Sequence, residues 1–166
     1  MIRIIEERDA ESFLKLCKKI DEESEFMLFE IGERNITIEE QRSLIKKLSK
    51  SFNSTIFVAE INAELVGYLI AIGGKYKRTR HSVNIIIGVT RKYSGNGIGT
   101  MLLKELEIWA RSVGILRLEL TVKTNNKSAI VLYGKLGYEI EGIKRGSCII
   151  NESLIDSYYM SKILIV

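Results

Sequence analysis

Three glycines stand at alternate positions in the stretch YSGNGIGT, at Gly95, Gly97 and Gly99. Glycine costs backbone entropy on folding, so such a run marks a tight turn or a place where something comes very close to the main chain. The stretch follows the β-branched run SVNIIIGV and precedes an amphipathic segment with Ile98, Leu102, Leu106, Trp109 and Val113 on one face. It therefore sits at a strand-to-helix junction. There the first helical N–H groups lack partners and the positive end of the helix dipole is exposed, which is the physical basis of phosphate binding. A plain tight turn would use the same residues. Two standard nucleotide motifs fail: Thr100 occupies the place of the third glycine in G-x-G-x-x-G, and no lysine follows Gly99 as a P-loop requires.

Other reactive side chains are few. His81 is the single histidine, and Cys17 and Cys148 lie far apart with no C-x-x-C, so there is no zinc ligand set. The cysteines read as buried structural thiols. Any Ser-His-Asp or Cys-His nucleophile would have to recruit His81. The net charge of +4 suits an anionic small ligand as well as nucleic acid, but no RNA-binding aromatic motif or zinc-finger spacing supports the latter. No apolar run approaches the roughly 20 residues that span a bilayer, and the acidic start lacks a signal peptide's apolar stretch, so a cytoplasmic protein is expected.

The elements that must position these residues follow from periodicity. With 166 residues the chain suits one domain over 1–166. IRII reads as a strand. Asp9 is placed to cap a helix with the stripe Phe13, Leu16, Cys17 and Ile20. DEESEFMLFEIGERN has no clean period and reads as a loop or a short broken helix. Thr37 and Glu40 form a capping box for a second helix through Leu44, Ile45 and Leu48. TIFVAEI and ELVGYLIAIG make a hairpin around Asn62-Ala63. After SVNIIIGV and its helix come the strand ILRLELTV, a helix capped by Asn125 or Asn126 with Ala129, Leu132, Tyr133 and Leu136, and a closing strand pair. The order predicts an α/β mixed sheet with helices on its faces.

The sequence at this junction resembles the GNAT superfamily of acetyl-coenzyme-A-dependent N-acetyltransferases. That family carries [Q/R]-x-x-G-x-[G/A] between its fourth strand and third helix, and SGNGIG places Gly97 and Gly99 in the required positions. A second segment, NKSAIVLYGKLGYEIEG, is similar to the family's N-x-x-A-x-x-L-Y-x-K-x-G-[FY]. The resemblance runs from about Val83 to Met160, while the front half matches only in its order of elements. Ser94 replaces the usual Gln or Arg, and Thr90-Arg91 stands where a proline often follows the fourth strand.

The resemblance implies a mostly antiparallel sheet of about seven strands, split between the parallel strands at Val83–Val89 and Ile115–Val122. Acetyl-CoA would lie in the split with its pantetheine bonded to main chain around Ile87, Gly88 and Val89. Its pyrophosphate would rest on the amides of Gly95, Asn96, Gly97, Ile98, Gly99 and Thr100, with Ser94 also counted among the cofactor-binding residues. Asn126 matches the asparagine that contacts the cofactor arm, and Tyr133 the tyrosine that hydrogen-bonds the sulfur and protonates the departing thiolate. The implied reaction is direct attack by a primary amine in a ternary complex, without metal. Glu119, His81 and a water chain remain alternatives as general base, and Glu119 is equally suited to pair with Arg117 or Asn84. Alternatives of other classes are a non-catalytic acyl-CoA sensor and a nucleotide-binding oxidoreductase using Glu119.

Substrate hints conflict. DEESE, Asp21 to Glu25, would suit a cationic amine, whereas KYKRTRH, Lys75 to His81, would face an acidic acceptor or the cofactor phosphates. Both also fit a solvated surface. The apolar KILIV end reads as a last strand at a sheet edge, a template for a second chain, from which a homodimer is expected.

Overall fold

The computed structural model describes residues 1–165. Its elements are β1 (Ile2–Ile4), α1 (Ala10–Glu23), α2 (Ile38–Ser49), β2 (Thr55–Ile61), β3 (Glu64–Gly73), β4 (Ser82–Val89), α3 (Ile98–Ser112), β5 (Arg117–Lys123), α4 (Lys127–Lys135), β6 (Glu139–Ile150) and β7 (Ser153–Ile163). This is the order that periodicity predicts. The seven strands form one sheet, β1-β2-β3-β4-β5-β7-β6. All neighbours are antiparallel except β4 and β5.

Helices cover both faces, which explains why TIFVAEI is apolar at almost every position. Ile56 and Val58 face Phe13, Leu16, Ile20, Ile45 and Leu48 of α1 and α2. Phe57 and Ala59 face the other way, with Leu102, Leu106 and Ala110 of α3. The capping box forms as predicted: Glu40 N–H donates to Thr37 Oγ1, and Thr37 N–H to the Glu40 carboxylate. Asn62 and Ala63 both have positive φ, 51° and 62°, as a two-residue type I′ hairpin turn requires.

Three expectations are corrected. Asp9 does not cap α1 with its side chain, because its carboxylate is held by the Arg3 guanidinium at 2.7 and 2.9 Å and by the Glu6 N–H at 2.8 Å. A bidentate, charge-assisted pair outcompetes a cap. Cys148 is not buried but partly exposed on β6, unlike buried Cys17. Finally, β7 is not an edge strand. It lies between β5 and β6, and beyond it Leu164 is buried with its N–H bonded to Leu116 C=O at 2.8 Å. The premise for a homodimer through the chain end therefore fails, since the long free edge belongs to β6. Val166 lies outside the described residues. No helix among the described residues is long and apolar enough to cross a membrane.

Candidate active site

The parallel strands pair over three residues only: Ser82 with Arg117, Val83 with Leu118 and Asn84 with Glu119. Beyond Asn84 each strand stays with its other neighbour, β4 with β3 and β5 with β7, so the sheet opens into a split. The β3–β4 register decides which groups face it. Thr90 N–H bonds Val66 C=O, and Gly74 N–H bonds Ser82 C=O. Alternation along β4 then gives Asn84, Ile86 and Gly88 to β3, and directs the N–H and C=O of Ile87 and Val89 into the split. Gly88 has a steric role: a Cβ there would stand 3.1 Å from both Ile20 and Tyr68, so glycine lets α1 and β3 close on the strand.

At the mouth of the split lies the glycine run. A 3₁₀ turn at Arg91–Tyr93 follows β4, held by Ser94 Oγ donating to Thr90 C=O at 3.1 Å. Ser94 thus spends its hydroxyl on the turn. Gly95 and Gly97 have φ of +78° and +81°, left-handed values, and a Cβ at either would meet nothing within 4 Å. The first α3 bond is Met101 N–H to Gly97 C=O. Consequently the six N–H groups from Gly95 to Thr100 find no acceptor among the described residues. Five of these residues, all but Asn96, line open space at the positive end of a 15-residue helix.

Split and cradle belong to one cleft of about 860 Å³. Its wall includes Ile87, Gly88, Val89, Ser94, Gly95, Gly97, Ile98, Gly99, Thr100, Asn126 and Tyr133, all marked in the sequence; Asn96 is not on the wall. Asn126 Oδ1 caps α4 by accepting the Ala129 N–H at 3.4 Å. Tyr133 packs beside Tyr138, with ring centroids 5.8 Å apart and planes tilted by 55°. It is buried, which pushes its phenol up to about 12, and its hydroxyl finds no protein partner among the described residues.

The two candidate bases are not brought to Tyr133. His81 and Glu119 line a separate cleft of about 390 Å³ at the closed end of the split. Glu119 accepts from Arg117 Nε at 2.7 Å, the structural pairing that the sequence left open. The basic turn from Lys75 to His81 precedes β4 while the cradle follows it, so the strand's rise separates them by about 25 Å. It does not face the cradle.

Three of the four acids of DEESE are internally occupied, and the fourth, Glu22, is exposed and does not line the cleft. Asp21 takes Arg34 Nε at 2.6 Å and Nη2 at 3.1 Å, Glu23 takes the Arg91 N–H at 2.6 Å, and Glu25 takes Asn151 Nδ2 at 3.4 Å. Lys123 Nζ donates to Phe26 C=O at 2.9 Å, tying the α1–α2 connection to β5 across the split. Sequence reasoning missed Phe13, Cys17, Arg34, Gln41 and Tyr68 in the cleft wall. Gln41 carried a signal: it stands four residues before Ile45 on the apolar stripe of α2, a polar residue at a core position. Burial pushes the Cys17 thiol up to about 12, so it is a neutral wall residue and no nucleophile.

A sheet that opens between two parallel strands, with an anion cradle at its mouth, is the architecture of an acyltransferase. The chain belongs to the acetyltransferase (GNAT) family, whose profile matches residues 17–138. It is similar to L-amino acid N-acetyltransferase AaaT of Escherichia coli, 32% identical over 64% of this chain and 66% of that one. It is also similar to N-alpha-acetyltransferase RimI of Mycobacterium tuberculosis, 39% identical over 52% of this chain. The match spans 66% of the first relative's length and 53% of the second's. A GNAT-family acetyltransferase structure from Streptococcus pneumoniae superposes with a TM-score of 0.96 at 32% identity, covering 99% of both chains. With this fold, a doubly wound nucleotide-binding oxidoreductase is set aside.

Proposed function

We propose that this protein is an N-acetyltransferase that moves the acetyl group of acetyl-CoA to a primary amine by direct attack in a ternary complex. The observation that carries this reading is the meeting, in one cleft, of the unpaired amides of Gly95, Gly97, Ile98, Gly99 and Thr100, the free main-chain groups of Ile87 and Val89, and the hydroxyl of buried Tyr133. These residues fit the coenzyme. The amides from Gly95 to Thr100 would hold the pyrophosphate, Ile87 and Val89 the amide-bearing arm, and Asn126 would lie beside it. When bound, acetyl-CoA supplies a thioester whose C–S bond breaks as the new amide N–C bond forms.

Tyr133 acts as a hydrogen-bond donor to sulfur rather than as a full acid. With its phenol near 12 and a thiol near 8.5, complete transfer to a thiolate is about 5 kcal/mol uphill. A shared hydrogen bond stabilises developing charge without that cost.

The amine must be neutral to attack. Deprotonating a lysine-like amine at pH 7 costs roughly 4.6 kcal/mol, an α-amino group only about 1 kcal/mol. Glu23 is the one carboxylate on the cleft wall among the described residues, and it is bonded to Arg91. An α-amine is therefore the favoured acceptor. The printed names of the two relatives, an L-amino acid and an N-alpha-acetyltransferase, agree with this class. The test is coenzyme A release with an acceptor panel of amino acids, peptides and polyamines. Tight acetyl-CoA binding with no release across the panel would mean a sensor instead.

A further inference from the structure

The cleft wall on the side of α1 and α2 has a chemistry that the transfer reaction does not use. It is mostly apolar, with Phe13, Ile20, Ile36, Leu44 and Ile70. Within it stand Gln41 and Tyr68, each 2% exposed. Neither the Gln41 amide nor the Tyr68 hydroxyl has a hydrogen-bond partner among the described residues, and their polar atoms open onto the cleft rather than lying sealed in the core. Two polar groups with no protein partner, on side chains otherwise buried and facing one cleft, are left for a ligand to pair with once it displaces water from this wall. Arg34 completes the set: Asp21 takes its Nε and Nη2, leaving Nη1 unclaimed among the described residues.

The charge is balanced. Asp21 neutralises Arg34, and Glu23 is spent on Arg91. The wall thus offers donors and acceptors in an apolar setting and no carboxylate for a second ammonium. Burying an unpaired ammonium there would be strongly unfavourable.

We infer that the acceptor is an α-amine carrying an apolar side chain and a neutral amide-type group, not a polyamine, and this rests on the N-acetyltransferase reading above. An amide carbonyl can accept from Arg34 Nη1 or the Tyr68 hydroxyl, while its N–H donates to Gln41 Oε1. The apolar arm lies against Phe13 and Ile20.

The experiment measures coenzyme A release at saturating acetyl-CoA with L-leucinamide, 3-methylbutylamine and spermidine. 3-Methylbutylamine keeps the apolar arm and lacks the amide. The wild type is expected to turn over leucinamide with a kcat/KM at least about tenfold above spermidine. In Gln41→Leu and Tyr68→Phe, the ratio of leucinamide to 3-methylbutylamine should fall about tenfold per lost hydrogen bond. Acceptor pKa cancels in that comparison between variants. The thermal midpoint of Gln41→Leu should hold, since the amide has no hydrogen bond to another residue among those described. Spermidine as the better acceptor, or an unmoved ratio in both variants, overturns the inference while leaving acetyl transfer intact. Release with no amine at all, despite acetyl-CoA binding, defeats the transferase reading and the inference with it.

Discussion

Glu23 and Arg91, 68 positions apart, close on one another twice: the Glu23 carboxylate accepts the Arg91 backbone N–H at 2.6 Å, and the Arg91 guanidinium donates to Glu23 C=O at 2.5 Å. The end of α1 is thereby pinned to the turn that leads from β4 into the glycine run. The same contact ties one oxygen, Oε2, of the cleft's carboxylate to the main chain. One pair thus positions the approach to the cradle and a carboxylate of the cleft wall.

The first expectation follows from that occupied carboxylate. With Glu23 the one carboxylate on the wall among the described residues and one of its oxygens held by Arg91, the acidic limb of kcat/KM against pH should report the acceptor's own ammonium. Activity should rise with pH toward the acceptor's pKa, near 8 for a peptide α-amine and near 10.4 for a lysine-like amine. Profiles with two such acceptors would check this. A limb that stays in place when the acceptor changes would mean that an enzyme group takes the proton.

Gly97→Ala should weaken coenzyme A binding at least tenfold by calorimetry, because its Cβ would project into the open space before the amides. A left-handed φ also costs an L-residue about 1–2 kcal/mol in stability. Gly114→Ala separates the two effects: Gly114 has φ +78° and open space too, but follows the far end of α3. It should lose similar stability and keep its affinity. Equal affinity losses in both variants would show that strain, not the cradle, is being measured.

Tyr133→Phe retains the ring packing against Tyr138. We expect kcat to fall toward the lower end of the roughly 10²–10⁴-fold range of acid–base contributions, with near-normal cofactor affinity. Because burial pushes the phenol up to about 12, no Tyr133 ionisation should appear in either enzyme's profile below about pH 11. An unaltered rate under chemistry-limited conditions would reduce Tyr133 to a packing residue.

Asp9 anchors α1 to β1 through Arg3, which also takes Glu60 at 2.7 Å. The Arg3 hydrogen bonds hold the Asp9 carboxyl below its ordinary range. A depressed carboxyl stabilises the fold above its unfolded pKa, near 3.9, and that contribution is lost as pH falls through the lower folded value. Asp9→Asn should therefore cost about 1–3 kcal/mol at pH 7, a gap that narrows below about pH 4. Denaturant titrations at pH 7 and pH 3 would reveal it, and an equal gap at both would show that the pair contributes no pH-linked stability.

Much of this protein is written in local pattern. The stripe of α1, the Thr37–Glu40 cap, the Asn62-Ala63 turn and the glycines before α3 each follow from backbone geometry within a few residues, where period and turn chemistry suffice. The two family-like segments around Gly97 and Tyr133 were legible for the same reason. What local pattern does not contain is the partner of a charge or the neighbour of a strand. Whether DEESE faces a substrate depended on Arg34 and Arg91 arriving from elsewhere in the chain, and they engage Asp21 and Glu23. The last strand reads as an edge until β6 folds back outside it, because the order of antiparallel strands leaves no trace in their alternation. Gln41 shows the division most sharply. Its sequence position marks a polar residue on an apolar stripe, but only the landing of α2 beside Tyr68 and the split turns that anomaly into a wall of the cleft.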